Sequence, residues 1–395
     1  MTKKLNILMI ADIFFPDVRG GSGRVVFEVS RGLAKKGHNL TVLTRRKDKN
    51  LLPDEEMHGF KVYRYNIGST HPAGFLFSSL KNTYKLVKSL SKDIRFDCLI
   101  LNQPLSALGA LMVRKFKHIP KIYFFHSSWP EEYHTKKQRN DIGLVLRRWI
   151  EKKVLSKSQM VIPASKYSKD KIKRLYPKLS LNIKIIPNGV DVEKFKPTNN
   201  KTIIKGELDI ALDKKVLFTV RNLTPRMGLE SLIEAMVKVK EDHKDILLII
   251  GGIGRLKQQL ETLTASLGLE DSVIFTGNIE ESDLPLYYRA ADFFILPTKT
   301  LEGFGLVTLE ALACGIPVLG TPVGATVEIL KQLDERLLFK GTDAGSMAKL
   351  ISEYLGKPKN QINELKQRCR QFAVDNYSWE KLTSSLEKVL TDVLS

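Results

Sequence analysis

The sequence predicts an α/β protein built from two doubly wound domains, each with a parallel sheet. The chain has 395 residues, which is too long for one ordinary hydrophobic core. Short apolar runs alternate with helical patterns, as expected when crossover helices join parallel strands. This alternation stops in a polar stretch near residue 200 and then restarts. We therefore expect one domain at residues 1–196 and a second at 197–376.

Apolar runs of strand length mark the first predicted sheet. The run from Leu5 to Ile13 fits a strand that is buried on both faces of a parallel sheet. Further strands are predicted at 40–43, 61–65, 97–101, 121–125, 160–163 and 183–186. After the first strand comes a glycine-rich turn, Gly20-Gly21-Ser22-Gly23. This turn either cradles a phosphate or simply permits a tight connection between strand and helix.

The second half repeats the pattern, with strands predicted at 216–220, 246–250, 273–276, 293–296, 317–319 and 337–339. Its turn Gly251-Gly252-Ile253-Gly254 lies between a strand and a helix. The turn lacks the third glycine of a dinucleotide-binding fingerprint, so it gives little support to a nicotinamide cofactor.

The most informative stretch runs from Pro297 to Pro317. Gly303 and Gly305 lead from a strand into an amphipathic helix. Glycine there lets backbone N–H groups approach a ligand, and the first turn of a helix favours an anion such as phosphate. Glu310 lies about 7.5 Å beyond Gly305, at ~1.5 Å per helical residue. Because this roughly matches the distance from a diphosphate to a ribose, Glu310 is a candidate for binding the ribose hydroxyls.

Glu302 and Glu310 are separated by seven residues that include Gly-Phe-Gly-Leu. This spacing resembles the E-x7-E signature of retaining glycosyltransferases of family 4, which have the GT-B fold. The resemblance implies two Rossmann-like domains that face a central cleft. It also implies a hexosyltransferase that moves sugar from a nucleotide-diphosphate sugar to a saccharide or lipid-linked acceptor. The segment from Ile186 to Pro197 looks like the interdomain signature of that family, and a last helix at 377–395 would complete the first domain.

The resemblance also assigns roles to individual residues. Glu302 would contact the hydroxyls of the donor sugar, and Glu310 would contact the ribose. His126, which directly follows a predicted strand, would lie near the transferred sugar, although a lone histidine is more often structural. The remaining candidates are the donor-binding residues Gly303, Phe304, Gly305, Leu306 and Gly252, the acceptor or phosphate loop at Gly20 and Gly21, and Glu131 and Glu132 as acceptor contacts.

One motif departs from the common family pattern. Many members have an arginine, four residues and then a lysine before a glycine, and a strict alignment places Asn222 and Met227 at the two basic positions. Arg221 and Arg226 are each displaced by one residue but keep the same spacing. Arginine forks bind phosphate oxygens well, so this pair is expected to stabilise the leaving diphosphate. The alternative is that Arg226 points to solvent.

The charge is distributed unevenly along the chain. The net charge is +20, with +23 in residues 1–196 and −3 in residues 197–395. A basic surface attracts anionic lipid or nucleic acid. Two basic amphipathic stretches, 72–95 with Phe75-Leu76-Phe77 and 144–157 with Trp149, favour an anionic membrane surface, although ordinary surface helices would look similar. Nucleic acid is not an expected partner, because carboxylates in a cleft repel phosphate backbones.

Composition argues against several kinds of site and against membrane-spanning segments. The three cysteines, Cys98, Cys314 and Cys369, form no closely spaced pair, which argues against a disulfide framework or a zinc site and favours a reducing cytosol. No cofactor and no metal are expected, and the chain has no Asp-x-Asp pair. No apolar run approaches the ~18 residues of a membrane span. We expect a cytoplasmic protein, peripheral on the inner face of the membrane at most. A non-transferring relative of the same fold, an epimerase or a phosphorylase, stays the alternative.

Overall fold

The computed structural model describes residues 3–18, 20–68, 71–137 and 141–394. Within these ranges the strands are β1 (Asn6–Ile10), β2 (Asn39–Arg45), β3 (Asp54–Met57), β4 (Phe60–Tyr65), β5 (Cys98–Leu101), β6 (Lys121–Phe125), β7 (Met160–Pro163), β8 (Lys215–Val220), β9 (Ile246–Gly251), β10 (Val273–Gly277), β11 (Phe293–Leu296) and β12 (Val318–Gly320).

The described helices, in chain order, are α1 (Gly21–Lys35), α2 (Pro72–Asp93), α3 (Pro104–Leu111), α4 (Trp129–Lys137), α5 (Ile142–Ser156), α6 (Lys166–Leu175), α7 (Lys201–Glu207), α8 (Leu229–Asp242), α9 (Lys257–Ser266), α10 (Leu284–Ala290), α11 (Leu306–Ala313), α12 (Thr326–Asp334), α13 (Ala344–Leu355), α14 (Lys359–Asn376) and α15 (Trp379–Leu394). Short 3₁₀ turns lie at Arg114–Phe116, Pro225–Met227 and Glu335–Leu337.

The chain divides into two compact units. The first unit contains residues 1–188 and 379–395, and the second contains residues 189–378. Residues 189–196, which the sequence analysis placed in the first domain, therefore belong to the second unit. The C-terminal segment of the first unit begins at Trp379, two residues after the predicted start of the last helix.

The first unit is organised around a sheet with the strand order β3-β4-β2-β1-β5-β6-β7 in the described part of the chain. All neighbouring pairs are parallel except β3 with β4, which is antiparallel. Ile7, Leu8, Met9 and Ile10 of β1 are fully buried, as the apolar run predicts for a central strand covered by helices on both faces. The carboxyl ends of β1, β5 and β6 therefore meet at one edge of the sheet.

Helix α15 packs on α1 within the first unit. Lys36 and Glu387 form an ion pair at 2.9 Å. Gly32 of α1 lies against Thr383, and a Cβ atom at Gly32 would come within 2.3 Å of the Thr383 Oγ1 atom. The close approach of these two helices requires glycine at position 32.

The second unit has a parallel sheet in the order β10-β9-β8-β11-β12 in the described residues. Strand β8 pairs with β9 and β11, and β11 pairs with β12. From β8 the chain adds β9 and β10 on one side and then β11 and β12 on the other, so the strand order switches direction between β8 and β11. Ligands of open α/β sheets bind at such switch points, beyond the carboxyl ends of the strands.

The predicted strands at 183–186 and 337–339 do not form. Only Ile183 and Leu338 make single bridges, to Val161 and Gly320 respectively. Conversely, β3 was not predicted, because its sequence Asp-Glu-Glu-Met has no apolar alternation. The remaining predicted strands are present in the α/β arrangement that the sequence indicates.

Candidate active site

The candidate residues of the second unit lie in the loops after β8, β9 and β11 and on helix α11, and the loop after β12 contacts them. Backbone hydrogen bonds join these loops. The Leu223 N–H donates to the Ile253 carbonyl at 2.9 Å, and the Lys299 N–H donates to the Arg226 carbonyl at 2.8 Å. The Ala325 N–H donates to the Glu302 carbonyl at 3.0 Å. The loops therefore support one another.

Arg221 and Glu302 form a buried ion pair. Nη2 of Arg221 lies 2.5 Å from Oε2 of Glu302 and also donates to Oγ1 of Thr298 at 3.0 Å. Thr298, which is fully buried, donates to the same carboxylate oxygen at 3.2 Å. Buried charges are retained in proteins when they are paired and hydrogen-bonded. The contacts fix the orientation of the Glu302 carboxylate.

Arg221 also contacts Met227, which stands at a position where many family members have a lysine. Its Nε and Nη2 atoms lie 3.3 and 3.0 Å from the sulfur of Met227, a weak acceptor. A basic group therefore lies beside position 227, although the residue at that position is methionine. The Nη1 group of Arg221 takes no part in these contacts.

Arg226 is half-buried and lies on the neighbouring loop. Its Nη1 atom donates to the Leu301 carbonyl at 3.1 Å. The side chain is thus directed along the loop after β11, and the alternative of a fully solvent-directed Arg226 does not match this contact. Arg221 and Arg226 both reach the segment from Thr298 to Glu302.

The loop after β11 has an unusual backbone at Leu301. This residue has φ 59°, a conformation that costs a non-glycine residue about 1–3 kcal/mol and that is concentrated at functional sites. The next residue, Glu302, is held by Gly324, at which a Cβ atom would come within 2.1 Å of the Glu302 carbonyl oxygen. The chain therefore accepts local strain to place Glu302.

Helix α11 begins at the predicted glycine entrance. Gly305 is the N-cap residue with φ 84°, and Leu306 is the first helical residue. The side chain of Phe304 is buried and packs on Tyr377. Gly303 lies in the loop just before. The Thr308 N–H donates to the Gly305 carbonyl at 3.0 Å. The N–H groups at the start of a helix generally lack an acceptor one turn earlier and are suited to an anion.

Two buried hydroxyl groups lie close to Gly305. A Cβ atom at Gly305 would lie 3.1 Å from Oγ1 of Thr308 and 3.6 Å from Oγ1 of Thr326. Neither hydroxyl has a hydrogen-bond partner in the described part of the protein. Unpaired buried polar groups are uncommon and call for an explanation. Here they leave hydrogen-bonding capacity unused beside the helix entrance.

Glu310 lies on α11 and is held by Tyr288 of α10. The Tyr288 hydroxyl donates to Oε2 of Glu310 at 2.8 Å. Burial, together with the nearby Glu310 carboxylate, raises the pKa of Tyr288 well above its ordinary value, so the phenol stays protonated and continues to donate. The carboxylate is half-buried. It is oriented without being enclosed.

Gly252 has a structural reason to be glycine that is independent of any ligand. Its φ is 121°, and a Cβ atom would come within 1.9 Å of the Arg221 carbonyl oxygen. The residue therefore sets the approach of the β9 loop to Arg221. Its assignment to donor binding stays a prediction.

In the first unit, His126 directly follows β6 and contacts Asn102, which directly follows β5. Nε2 of His126 lies 2.9 Å from Oδ1 of Asn102, while the Asn102 amide donates to the Ile10 carbonyl at 3.3 Å. Since Oδ1 is an acceptor, the proton of the imidazole is on Nε2, which leaves Nδ1 as an acceptor. Burial lowers the pKa of His126 to about 4, so the ring is neutral at pH 7.

Gly20 and Gly21 stand at the start of α1 in the same unit. Gly20 has φ 155° and ψ 153°, a conformation essentially restricted to glycine, and serves as the N-cap. A Cβ atom there would contact nothing within 4 Å, so backbone conformation, rather than crowding, requires glycine. This conformation is compatible with both interpretations of the turn, a phosphate cradle or a tight connection between strand and helix, so binding at Gly20 and Gly21 stays a prediction.

The two candidate acceptor contacts are already engaged within the first unit. Glu131 forms an ion pair with Lys171 at 2.8 Å, and Glu132 accepts a hydrogen bond from Ser127. Sequence reasoning missed Thr298, Tyr288 and Asn102. Asn102 had a signal, since it is a polar residue directly after a buried strand; Tyr288 had none, because its partner is distant in sequence.

Comparisons with known proteins agree with this architecture. Residues 19–194 match the model of the family described as Glycosyltransferase Family 4, and residues 200–375 match the model described as Glycosyl transferases group 1. The two matches follow one another along most of the chain.

Two curated relatives illustrate the match. An uncharacterized glycosyltransferase of Methanocaldococcus jannaschii is 25% identical over 394 residues, which cover 98% of this chain and 97% of the relative. The alpha-monoglucosyldiacylglycerol synthase of Streptococcus pneumoniae is 25% identical over 319 residues, which cover 80% of this chain and 70% of the relative.

Solved structures show the same fold. Sucrose-phosphate synthase from Thermosynechococcus elongatus superposes with a TM-score of 0.85 at 23% identity and covers 99% of each chain. Anabaena HepE in complex with UDP and glucose has a TM-score of 0.79 at 18% identity and covers 98% of this chain and 100% of its own. With both family models matched in succession, this chain belongs to glycosyltransferase family 4 and is a glycosyltransferase with the GT-B fold.

Proposed function

We propose that this glycosyltransferase moves a hexose-type sugar from a nucleotide-diphosphate sugar to a saccharide or lipid-linked acceptor, with retention of anomeric configuration and without a metal ion. The observation that carries the proposal is the placement of Glu310 on the helix that begins at Gly305. A nucleoside diphosphate presents an anionic diphosphate and two vicinal ribose hydroxyls. One helix here offers N–H donors at its start and a carboxylate acceptor further along.

The leaving diphosphate needs stabilisation as the glycosidic bond stretches. Fixed donors are effective for this because they need no reorganisation during the reaction. Arg221 is fixed by Glu302 and Thr298, and Arg226 is fixed by the Leu301 carbonyl. In the proposal these two arginines and the first-turn N–H groups of α11 bind the phosphates, which is the role a divalent cation has in metal-dependent transferases.

Glu302 is proposed to bind hydroxyls of the donor sugar. Its Oε2 atom is engaged by Arg221 and Thr298, and its backbone is held in place by the loop after β12. A carboxylate held in this way can accept hydrogen bonds from a sugar with little further loss of side-chain entropy.

The first unit is proposed to bind the acceptor. His126 is neutral and has Nδ1 as an acceptor, which suits a hydrogen bond from a hydroxyl of the transferred or accepting sugar. Gly20 and Gly21 offer the N-terminus of α1 to a phosphate or polar group of the acceptor. The relatives favour these substrate classes, because HepE was solved with UDP and glucose, and the pneumococcal protein is a glucosyldiacylglycerol synthase.

An anionic membrane surface on the cytoplasmic side is proposed as a partner, and α5 is the element that supports it. Ile142, Val145, Leu146 and Trp149 are 86%, 68%, 37% and 55% exposed. They follow one another at helical spacing and form one apolar stripe. The exposed basic residues Arg148, Lys152 and Lys153 flank or extend this stripe. Such a helix fits the interface of an anionic bilayer.

Helix α2 supports membrane docking less than the sequence indicates. In the segment Phe75-Leu76-Phe77 near the start of α2, Phe77 is 67% exposed, but Phe75 and Leu76 are half-buried. The guanidinium of Arg45 lies 5.2 Å from the centre of the Phe75 ring. In the described residues of the protein, no helix combines the length and the apolarity needed to cross a membrane.

Thermal shift with a panel of UDP, GDP, ADP, CMP and NAD tests the proposal, since a ligand that binds only the folded state raises the melting temperature. We expect one nucleoside diphosphate to stabilise the wild type and to lose most of this effect in Glu310→Ala. Tyr288→Phe is the matched control: it keeps the carboxylate but removes the hydrogen bond that orients it, so it should weaken binding less.

If no nucleotide stabilises the wild type, or if NAD alone does, the nucleotide-sugar donor is wrong and the non-transferring relatives become the better explanation. Wild-type behaviour of Glu310→Ala would remove the ribose assignment. Once the donor is known, turnover in EDTA and the anomeric configuration of the product by NMR test metal independence and retention.

A further inference from the structure

The second unit contains a cavity that lies away from the candidate active site. It has a volume of about 360 Å³ and is lined by residues before α7, at the end of α10, between α11 and β12, and on α14. Residues 291 and 314–316 precede β11 and β12, so the cavity is at the amino ends of these strands. The donor-site loops described above follow the carboxyl ends of the same strands.

The lining of this cavity is strongly basic. Lys201, Arg289, Lys366 and Arg370 contribute to it, and its described lining contains no acidic residue. This is unusual for its location, because residues 197–395 carry a net charge of −3. Positive charges gathered around one small space repel one another, and a bound anion relieves this repulsion.

The two arginines are held in place by neutral groups. Arg289 donates from Nε to the Lys196 carbonyl at 2.9 Å and from Nη2 to the Lys194 carbonyl at 3.0 Å. Nη1 of Arg370 donates to three carbonyl groups, those of Val192, Phe195 and Ala313, at 2.9 Å each. Carbonyl groups orient a guanidinium but do not neutralise its charge. Nη1 of Arg289 and Nη2 of Arg370 take no part in these bonds.

Among the described residues, Lys201 is the one lining cation with an acidic partner in direct contact. Its Nζ atom lies 2.5 Å from Oδ1 of Asp292 and 3.0 Å from the Ala291 carbonyl oxygen. The pKa of Lys201 is nevertheless lowered to about 8, chiefly by burial and also by Lys366 and Lys205, against the opposing effect of Asp292. An anion in the cavity would oppose this effect.

We propose that this cavity binds a small phosphorylated polyol, of the sugar phosphate class, at a site separate from the donor site. Arginine forks bind phosphate oxygens in pairs. Thr198, Gln367 and Gln371 in the lining supply neutral partners for hydroxyl groups. The volume is at the small end of the range for ligand sites. The described lining has no aromatic ring on which a base could stack, which disfavours a nucleotide.

Calorimetric titration with glucose 6-phosphate and glycerol 3-phosphate tests the proposal, with glucose and glycerol as uncharged counterparts. The nucleoside diphosphate that stabilises the protein is present at saturation so that the donor site is blocked; if none stabilises it, the titration is run in Glu310→Ala. We expect the phosphate esters to bind and the neutral polyols not to bind. At pH 8, binding should be accompanied by proton uptake, detected in two buffers of different ionisation enthalpy, because a bound anion raises the pKa of Lys201.

Lys366→Glu should weaken phosphate-ester binding at least about tenfold, or about 1.4 kcal/mol. The double variant Arg289→Gln with Lys366→Gln should do the same, whereas Lys331→Gln with Lys349→Gln, which removes two exposed charges elsewhere in the unit, should not. Arg289 donates to backbone carbonyl groups, so its replacement could unfold the protein. In that case the single variant Lys366→Glu, at a half-buried position, provides the test.

Hydrogen exchange supplies a local reading, with protection by the phosphate ester expected at 366–371. Absence of binding at millimolar ester would overturn the proposal, as would unchanged affinity in Lys366→Glu. These measurements use no sugar donor, so their failure is distinct from a failure of the proposed transferase reaction.

Discussion

At the scale of single residues, His126 shows how burial sets the chemistry of a side chain. Its pKa is lowered from 6.5 to about 4 because burial disfavours the imidazolium ion. A base with a lowered folded-state pKa gives stability that is present above the unfolded pKa and is lost as the pH falls toward about 4. Through this range the neutral ring remains a fixed donor to Asn102 and keeps Nδ1 as an acceptor.

We expect the NMR signals of the His126 ring to show no titration between about pH 5.5 and 8, since its pKa lies well below this range. Asn102→Asp replaces the amide by a carboxylate of the same size beside Nε2, which should raise the His126 pKa by one unit or more. A ring that titrates near 6.5 in the wild type would mean that the surroundings of His126 in solution do not disfavour its imidazolium form.

Glu151 is a second residue whose charge is governed by its surroundings. The carboxyl is fully buried on α5 and accepts hydrogen bonds from the Trp129 N–H at 2.9 Å and from the Tyr176 hydroxyl at 2.5 Å. Burial raises its pKa from 4.5 to about 7. Through Trp129 it holds the loop that follows His126.

Because the folded-state pKa of Glu151 is raised, its contribution to stability is full below about pH 4.5 and is lost as the pH rises through about 7. We expect Glu151→Gln to reduce this loss, which is on the order of 3 kcal/mol, while it keeps an acceptor for Trp129. Urea unfolding of both proteins at pH 5 and pH 8 measures it. Equal pH dependence in the two would show that Glu151 is not the group responsible.

At the scale of the elements, the glycines at the strand ends hold the loops of the second unit together. Gly252 faces the Arg221 carbonyl, Gly324 faces the Glu302 carbonyl and Gly228 faces the Pro297 carbonyl, each at a distance that excludes a Cβ atom. The arginine and the glutamate of the candidate site are thus positioned by the packing of backbone on backbone.

Gly252→Ala should therefore destabilise the protein by more than about 2 kcal/mol, through both its positive φ and the displaced Arg221 carbonyl. Gly206→Ala is the matched control, since position 206 lies in α7 with open space around it and alanine there should stabilise by about 0.4–1 kcal/mol. Denaturant midpoints distinguish the two. Equal midpoints would indicate that the β9 loop yields to the added methyl group.

Much of the fold could be predicted from local patterns, because the central strands of a parallel sheet are continuous apolar runs, as at Ile7 to Ile10. The segments that were predicted wrongly lie at the edges of the two sheets. Strand β3 is acidic and pairs only with β4, and the apolar residues at 183–186 and 337–339 make single bridges. Whether an apolar segment completes a strand depends on its neighbour in the sheet, which a local pattern does not contain.

Part of the candidate site could also be predicted, because some of its residues form a local sequence pattern. The glycines around Phe304 and the two glutamates form a local pattern, and the structure puts them in one loop and helix. The partners of these residues are not local: Arg221 reaches Glu302 across 81 positions, and Tyr288 reaches Glu310 across 22. Likewise, the sequences of α5 and α2 both have the pattern of a basic amphipathic helix. The exposed fractions of their side chains in the folded protein show that the longer exposed apolar stripe is on α5.

At the scale of the whole molecule, charge is divided between the two halves of the sequence, with +23 in residues 1–196 and −3 in residues 197–395. A basic residue near an anionic bilayer contributes about 1 kcal/mol, so the proposed attraction to an anionic membrane would act through residues 1–196. Attraction of this kind is weakened by salt. The exposed stripe on α5 adds an apolar contribution that salt does not weaken.

The last prediction separates these two contributions. Ile142→Ser with Trp149→Ser removes two exposed apolar side chains from α5 without changing the charge. Burial of such side chains is worth about 1.5–3 kcal/mol each, so partial insertion should make binding of the variant to phosphatidylglycerol vesicles at least about tenfold weaker. Ile203→Ser with Leu212→Ser is the control, because it removes two other exposed apolar side chains, 59% and 62% exposed, from the second unit. Co-sedimentation over a salt series measures the binding, with neutral vesicles and duplex DNA as parallel samples.

If the α5 variant sediments like the wild type, or if DNA binds and anionic vesicles do not, the basic half serves another partner, and the lipid-linked acceptor loses its structural support.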